Sequence, residues 1–94
     1  MALIQTLKKI DGSILKIYKH PKTGRIKNVL KHDYGTVVAH CDEKGNPRII
    51  EDIRNKKRDV YIKSQDGTAV LKQGDKITCF PHILFNTICT RLFK

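Results

Sequence analysis

Apolar and polar residues alternate along most of the chain, and residues typical of turns interrupt this alternation at short intervals. The clearest alternation is in residues 59–63, Asp-Val-Tyr-Ile-Lys, where every second side chain is apolar and aliphatic. Gly, Pro, Asn and Asp are concentrated between such segments, as in turns. The predicted strands are 13–19, 25–30, 34–41, 48–53, 59–63, 76–80 and 85–92. Seven short strands spaced about ten residues apart predict an all-β barrel or sandwich.

The first ten residues follow a different pattern. Leu3, Leu7 and Ile10 are spaced as on one side of a helix, but the segment is short, so a strand or a loose arm is also open. We therefore predict a single domain over 1–94, with either an arm or a short helix at 1–10 and a β-barrel at 12–93.

Positive charge is concentrated at the start of the chain. The 94 residues carry 19 Lys and Arg against 9 Asp and Glu, a net charge of +10. Residues 1–30 hold seven of the bases and one acid, Asp11, a net of +6. A second basic cluster, 54–58, is predicted on a loop, where it would contact phosphates or only water. Clustered Lys and Arg favour a polyanionic partner because binding to phosphates releases counterions.

Other function classes have little support in the sequence. The chain is too short for a large catalytic cleft and has no phosphate-binding glycine loop, so we expect no enzyme and no cofactor. A zinc site usually contains a Cys-x2-4-Cys pair, and Cys41, Cys79 and Cys89 form none, so no metal is expected. Cys79 alternates with Ile77 and is predicted to face inward as a free thiol.

Hydropathy and cysteine usage predict a location inside the cell. No apolar run approaches the roughly 18 residues of a membrane span, and the amino terminus lacks the pattern of a signal peptide. Three cysteines cannot all pair within one chain. We therefore expect reduced thiols, a cytoplasmic location and no membrane partner.

One side of the predicted sheet combines aromatic and basic residues. If Val60 and Ile62 point inward, Tyr61 and Lys63 share the outer face, which suits a nucleobase on the ring and a phosphate near the ammonium. The alternative is that Tyr61 packs against a neighbouring strand. Further outward-facing candidates in the basic first third are Lys16, Tyr18 and Arg25.

The second half of the chain resembles the cold-shock domain, a five-stranded OB-type barrel. Residues 59–63 are similar to the strand that carries the family's second ribonucleoprotein motif, and 71–80 are similar to its later Leu-x-x-Gly-x-x-Val-x-Phe strand with one extra residue. The first half aligns in two ways: either 24–27 with 34–38 match the family's opening strands, or the first strand begins at 12–14 and 24–26 fall in the second. The resemblance implies a small OB-like barrel of five to seven strands.

The resemblance also implies single-stranded RNA or DNA binding on one sheet face. Tyr61 would stack on bases, and Lys63 and Lys27 would contact phosphates or base edges. Tyr34 would be the remaining aromatic of the first motif. In the first alignment Asn28 replaces the family's Trp, so binding should depend more on charge than on stacking.

The predicted function is therefore non-enzymatic binding of single-stranded nucleic acid by a basic, tyrosine-bearing sheet face. The alternative is a small protein-binding barrel that regulates or inhibits a nucleic-acid-processing machine through an exposed edge strand. The segment 85–93 is one candidate edge, since Phe85, Cys89 and Phe93 share one face. The preferred alternative is that it is an ordinary closing strand with Ile88 and Leu92 inward.

Overall fold

The computed structural model describes residues 1–93, which form one antiparallel β-sheet and one helix. The elements in chain order are β1 (Ala2–Lys8), β2 (Ile14–Lys19), β3 (Ile26–His32), β4 (Gly35–Cys41), β5 (Pro47–Arg54), β6 (Lys57–Lys63), β7 (Thr68–Gln73), β8 (Lys76–Pro81) and α1 (His82–Leu92). The chain is therefore mostly β, as its alternating pattern predicts.

Each strand pairs with the strand that follows it in the sequence, so the sheet order is β1 to β8 without a crossover. Tight turns make this meander possible. Arg54 pairs with Lys57 across a turn formed by Asn55 and Lys56, whose φ values of 49° and 64° are those that a type I′ hairpin turn requires. The basic cluster 54–58 is thus a hairpin tip with flanking strands rather than a loop.

The sheet has two unlike faces. On one, which we call the covered face, Leu30 lies opposite Val37, Ala39 opposite Ile50, and Ile50 opposite Tyr61. Leu30, Val37, Ala39 and Ile50 are buried, and they form the core together with residues of α1. The other side, the open face, is formed by the alternate residues of the same strands and has no helix against it in the described part of the chain.

α1 covers the core through residues at helical spacing. Phe85 is fully buried in the core cluster, and Cys89 and Leu92 pack against it at i+4 and i+7. Burying a Phe side chain contributes about 1.5 to 3 kcal/mol. The carbonyl of Phe93 accepts a hydrogen bond from Lys9 Nζ, which joins the end of the helix region to the β1–β2 turn.

Three predictions about architecture are corrected. The sheet has eight strands and is open: β1 and β8 are its edges, and no β1–β8 pairing occurs within residues 1–93, so it is not a closed barrel of five to seven strands. The first residues form β1, which is the strand left open as an alternative, rather than an arm or a short helix, because they pair along β2. The predicted strand 85–92 is helical, so it provides no edge strand.

Cys79 was also predicted on the wrong side of the sheet. It is exposed, and it lies opposite Val70 on the open face, while Cys41 is buried and Cys89 is partly buried. None of the three forms a disulfide. Among the described residues, no helix has both the length and the apolar character needed to cross a lipid bilayer.

Candidate nucleic-acid-binding face

A row of directly paired residues crosses the open face. Tyr18 on β2 lies opposite Lys27 on β3, which lies opposite His40 on β4. The row continues through Ile49 on β5 to Ile62 on β6. Neighbouring strands are about 4.8 Å apart, so this row spans roughly 19 Å from tyrosine to isoleucine. The row therefore contains one aromatic ring and one ammonium, from Tyr18 and Lys27, followed after His40 by the aliphatic side chains of Ile49 and Ile62.

Other basic residues lie around this row. Lys16 is on the same side of β2 as Tyr18, two residues earlier, and Arg25 lines the same cleft as Lys27. Four of the residues predicted from sequence, Lys16, Tyr18, Arg25 and Lys27, are thus brought together.

The open face as a whole is basic. Among its residues that pair with a residue of a neighbouring strand, six are Lys or Arg and one, Glu51, is a carboxylate. The bases are Lys8, Lys16, Lys27, Lys31, Arg58 and Lys72.

Tyr61 and Lys63 lie on the opposite side. The alternation in 59–63 is as predicted, but the side that is open is the one carrying Val60 and Ile62, because α1 covers the other. Tyr61 packs against the core, and burial, with smaller contributions from Asp59 and Asp52, raises the pKa of its hydroxyl.

The ammonium of Lys63 is likewise directed towards α1. Its Nζ lies 5.9 Å from the centroid of the Phe85 ring and 3.5 Å from Asn86 Oδ1. The structure therefore does not bring Lys63 together with the open-face residues.

The ring of Tyr34 already has planar partners. Its centroid lies 4.6 Å from that of His32 in a stacked arrangement, and the guanidinium of Arg54 lies 4.9 Å from it. His32 and Arg54 belong to the covered side of β3 and β5 by register. Tyr34 is thus engaged within the protein and is separate from Tyr18.

A cleft of about 850 Å³ lies at one end of the open face. Aliphatic side chains of β5 and β6 form part of its lining, and basic side chains from β3, β4, β5, β6 and the adjoining turns form another part. The aliphatic residues are Ile49, Val60 and Ile62, and the basic ones are His20, Arg25, Lys27, His40, Arg48 and Arg58. A groove with an apolar part and a cationic part suits an amphipathic anion.

Glu51 organises the charged groups inside this cleft. Its carboxylate forms an ion pair with the guanidinium of Arg58 and accepts a hydrogen bond from His40 Nε2 at 2.9 Å. Burial, together with the positive charges of Lys27 and Arg58, lowers the pKa of His40 despite this carboxylate. We take His40 as neutral at pH 7 with its proton on Nε2, since a carboxylate can only accept.

The walls of the cleft are held by two turns. Asp42 Oδ1 accepts hydrogen bonds from the backbone N–H groups of Asn46 and Lys44, and these bonds lower the pKa of Asp42. A Cβ added at Gly24, in the turn between β2 and β3, would lie 3.7 Å from Glu43 Cβ in the turn between β4 and β5. The two turns are therefore close neighbours at this end of the cleft.

Sequence reasoning missed the His40–Glu51–Arg58 group and the aliphatic lining. Their signal was present in the sequence, because alternation places Glu51 on the same side of its strand as Ile49, and Arg58 on the same side as Val60 and Ile62. No three His, Cys, Asp or Glu side chains in residues 1–93 are grouped so as to hold a metal ion. Comparisons of the chain with protein-family models, curated proteins and solved structures found no match, so a proposed function rests on the chemistry of the open face.

Proposed function

We propose that this protein binds single-stranded nucleic acid on its open face, without catalysis. The observation that carries this proposal is the direct pairing of Tyr18 with Lys27, which sets a ring for base stacking beside a cation for phosphate. Lys16 and Arg25 extend the basic surface on either side of this pair.

Electrostatics should supply most of the affinity. The six bases of the open face greatly outnumber its one carboxylate, and Glu51 is already paired with Arg58. If four of these bases contact phosphates, the logarithm of the binding constant should fall with the logarithm of salt with a slope of about −3. With Tyr18 as the one tyrosine on this face, discrimination between base sequences should be small.

The sequence resemblance implies an OB-like or cold-shock-like barrel, whereas the sheet of residues 1–93 is open. The open-face proposal does not need a barrel, because aromatic and basic residues on any exposed sheet can bind a strand. Three free cysteines support a reducing, cytoplasmic location for this function.

The test is a fluorescence-anisotropy titration with labelled oligo-dT and an unstructured RNA at 50 and 200 mM salt. We expect saturable binding at low salt that weakens about 60-fold at the higher salt. A duplex of the same length is the control and should bind less tightly than the single strands. Absence of binding at low salt, up to tens of micromolar protein, would refute the proposal.

A protein-binding role is the second candidate, and the β1 edge favours it. All seven residues of β1 are exposed, including Leu3, Ile4 and Leu7, so a partner strand could pair along this edge. A pull-down from nuclease-treated lysate distinguishes the two roles: retention of one stoichiometric protein that also blocks oligo-dT binding would favour the regulator.

A further inference from the structure

The cleft at the end of the open face has the composition of a site for one nucleotide. Its aliphatic part, Ile49, Val60 and Ile62, offers a surface for the plane of a base. Its cationic part includes Arg25 and Arg48, which come from different turns and strands but line the same space. Arginine is well suited to phosphate because its planar group can donate two parallel hydrogen bonds.

The acids that line the cleft cancel only part of its charge, because four Lys and Arg face three carboxylates, which leaves a net charge of +1. Glu51 is neutralised by Arg58 and also accepts the His40 hydrogen bond. Asp42 stays ionised, because hydrogen bonds from its own turn, with a smaller contribution from the charge of Arg48, lower its pKa. Glu43, on the exposed part of that turn, is the third carboxylate. Arg25, Arg48 and Lys27 form no ion pair within the described residues, so their donors can serve an anion.

His40 adds a polar contact between the two parts. Because Nε2 donates to Glu51, a neutral His40 has a lone pair on Nδ1. This nitrogen can accept a hydrogen bond from a ribose hydroxyl or a base N–H. The volume of about 850 Å³ lies within the range of small-molecule sites, roughly 300 to 1,000 Å³.

We propose that this cleft binds one phosphorylated nucleoside, with the base on Ile49, Val60 and Ile62 and the phosphate between Arg25, Lys27 and Arg48. The nucleotide is either a free nucleoside monophosphate or one residue of a bound strand. The choice of ligand class rests on the proposed function, whereas the site itself rests on the geometry of the cleft.

Two-dimensional amide NMR of the full chain tests this site with UMP, AMP, uridine and inorganic phosphate as separate probes. We expect saturable shifts from both monophosphates, centred on residues of the cleft, with weaker binding of uridine and of phosphate. Phosphate binding as tight as UMP would overturn the nucleoside part of the proposal. Absence of saturable shifts, or shifts centred elsewhere, would overturn the site.

Two variants, each with a matched control, test the two parts of the cleft. Arg48→Ala should weaken UMP at least five-fold, while Arg54→Ala, at the tip of the β5–β6 hairpin beside Tyr34, should not. Val60→Trp should fill the cleft and abolish binding, while Ile77→Trp, at an exposed position of the same face two strands away, should leave it unchanged. Equal effects in variant and control would overturn the site, and circular dichroism checks that each variant is folded.

The same measurements separate this inference from the function proposed for the whole face. Binding of oligo-dT without any mononucleotide binding in the cleft would overturn the inference and leave strand binding intact. Binding of UMP in the cleft without oligo-dT binding would support the inference and refute strand binding. If both bind and UMP competes for the cleft, the nucleotide in the cleft is part of the strand.

Discussion

Tyr18 on β2 and Lys27 on β3 are directly opposed residues that project from the open face of the sheet. Directly opposed side chains on neighbouring strands have Cβ atoms about 5 Å apart, so one nucleotide can contact both. Tyr34 and Tyr61, the other two tyrosines, are engaged with His32 and with the core. The roles of the three tyrosines should therefore differ in experiment.

Tyr18→Ala should weaken oligo-dT binding by about 1 to 3 kcal/mol, or roughly 5- to 150-fold, because it removes the stacking surface of the open face. Tyr34→Ala is the matched control and should change affinity little, since its ring is occupied by His32 and Arg54. The measurement is anisotropy at low salt. A loss with Tyr34→Ala equal to that with Tyr18→Ala would contradict this assignment.

Lys16→Ala and Lys27→Ala should each make the salt dependence of strand binding shallower. Each ammonium that contacts a phosphate contributes about 0.7 to the slope of log affinity against log salt for single strands. Lys57→Ala is the control, because by register Lys57 is on the covered side of β6. Unchanged slopes in both open-face variants would show that the strand binds elsewhere.

Gly35→Ala should destabilise the fold by several kcal/mol, about 2 to 4. A Cβ at this position would lie 2.2 Å from the backbone oxygen of Ile53 on the neighbouring strand, so the β4–β5 pairing must shift. Gly45→Ala has open space around its Cβ and should cost only about 1 kcal/mol, from its φ of 86°. Urea unfolding measures both, and equal costs would argue against the close approach.

The three cysteines should differ in their rate of alkylation. Cys79 is exposed and should react with iodoacetamide first at pH 8. Burial raises the pKa of Cys41 to about 11, so little of it is thiolate at that pH, and burial also raises the pKa of Cys89. Mass spectrometry of timed samples gives the order. Early modification of Cys41 in folded protein would contradict the buried position.

Asp66 should contribute to stability above about pH 4 and lose this contribution as the pH falls to about 2. Hydrogen bonds from Ser64 and Thr68 lower the pKa of Asp66 from 3.8 to about 2, and a group with a lowered pKa stabilises the fold only while it is ionised. Asp66→Asn should therefore be less stable than the parent protein at pH 5, with the difference shrinking towards pH 2. A constant difference in urea midpoint would show that Asp66 acts in another way.

Local patterns in the sequence were sufficient to predict most strands and turns. The predicted turns at 20–24, 42–47 and 64–68 separate strands in the structure, because Gly, Pro, Asn and Asp adopt turn geometry by themselves. The helix was missed although its spacing was visible: Phe85, Cys89 and Phe93 are four residues apart, which places them on one side of a helix. The β-branched and aromatic residues in the segment favoured a strand instead.

Which side of the sheet is covered could not be predicted from alternation. Val60 and Ile62 are as apolar as a core face would require, yet they line the cleft, while Tyr61 packs against the core. The deciding contact comes from Phe85, more than twenty residues away, and no local pattern reports it. Alternation correctly grouped four residues of the open face, Tyr18, Lys16, Arg25 and Lys27. It could not show which side of β6 is covered, so Lys63 was assigned to the wrong side.

The succession of hairpins described for the sheet also has a kinetic consequence. Each strand finds its partner within a few residues along the chain, so each pairing requires only a short loop to close. The contact between Lys9 and Phe93, which are 84 residues apart, can form only after α1 has been placed. We therefore expect folding to proceed hairpin by hairpin, with docking of the helix as the final, long-range step.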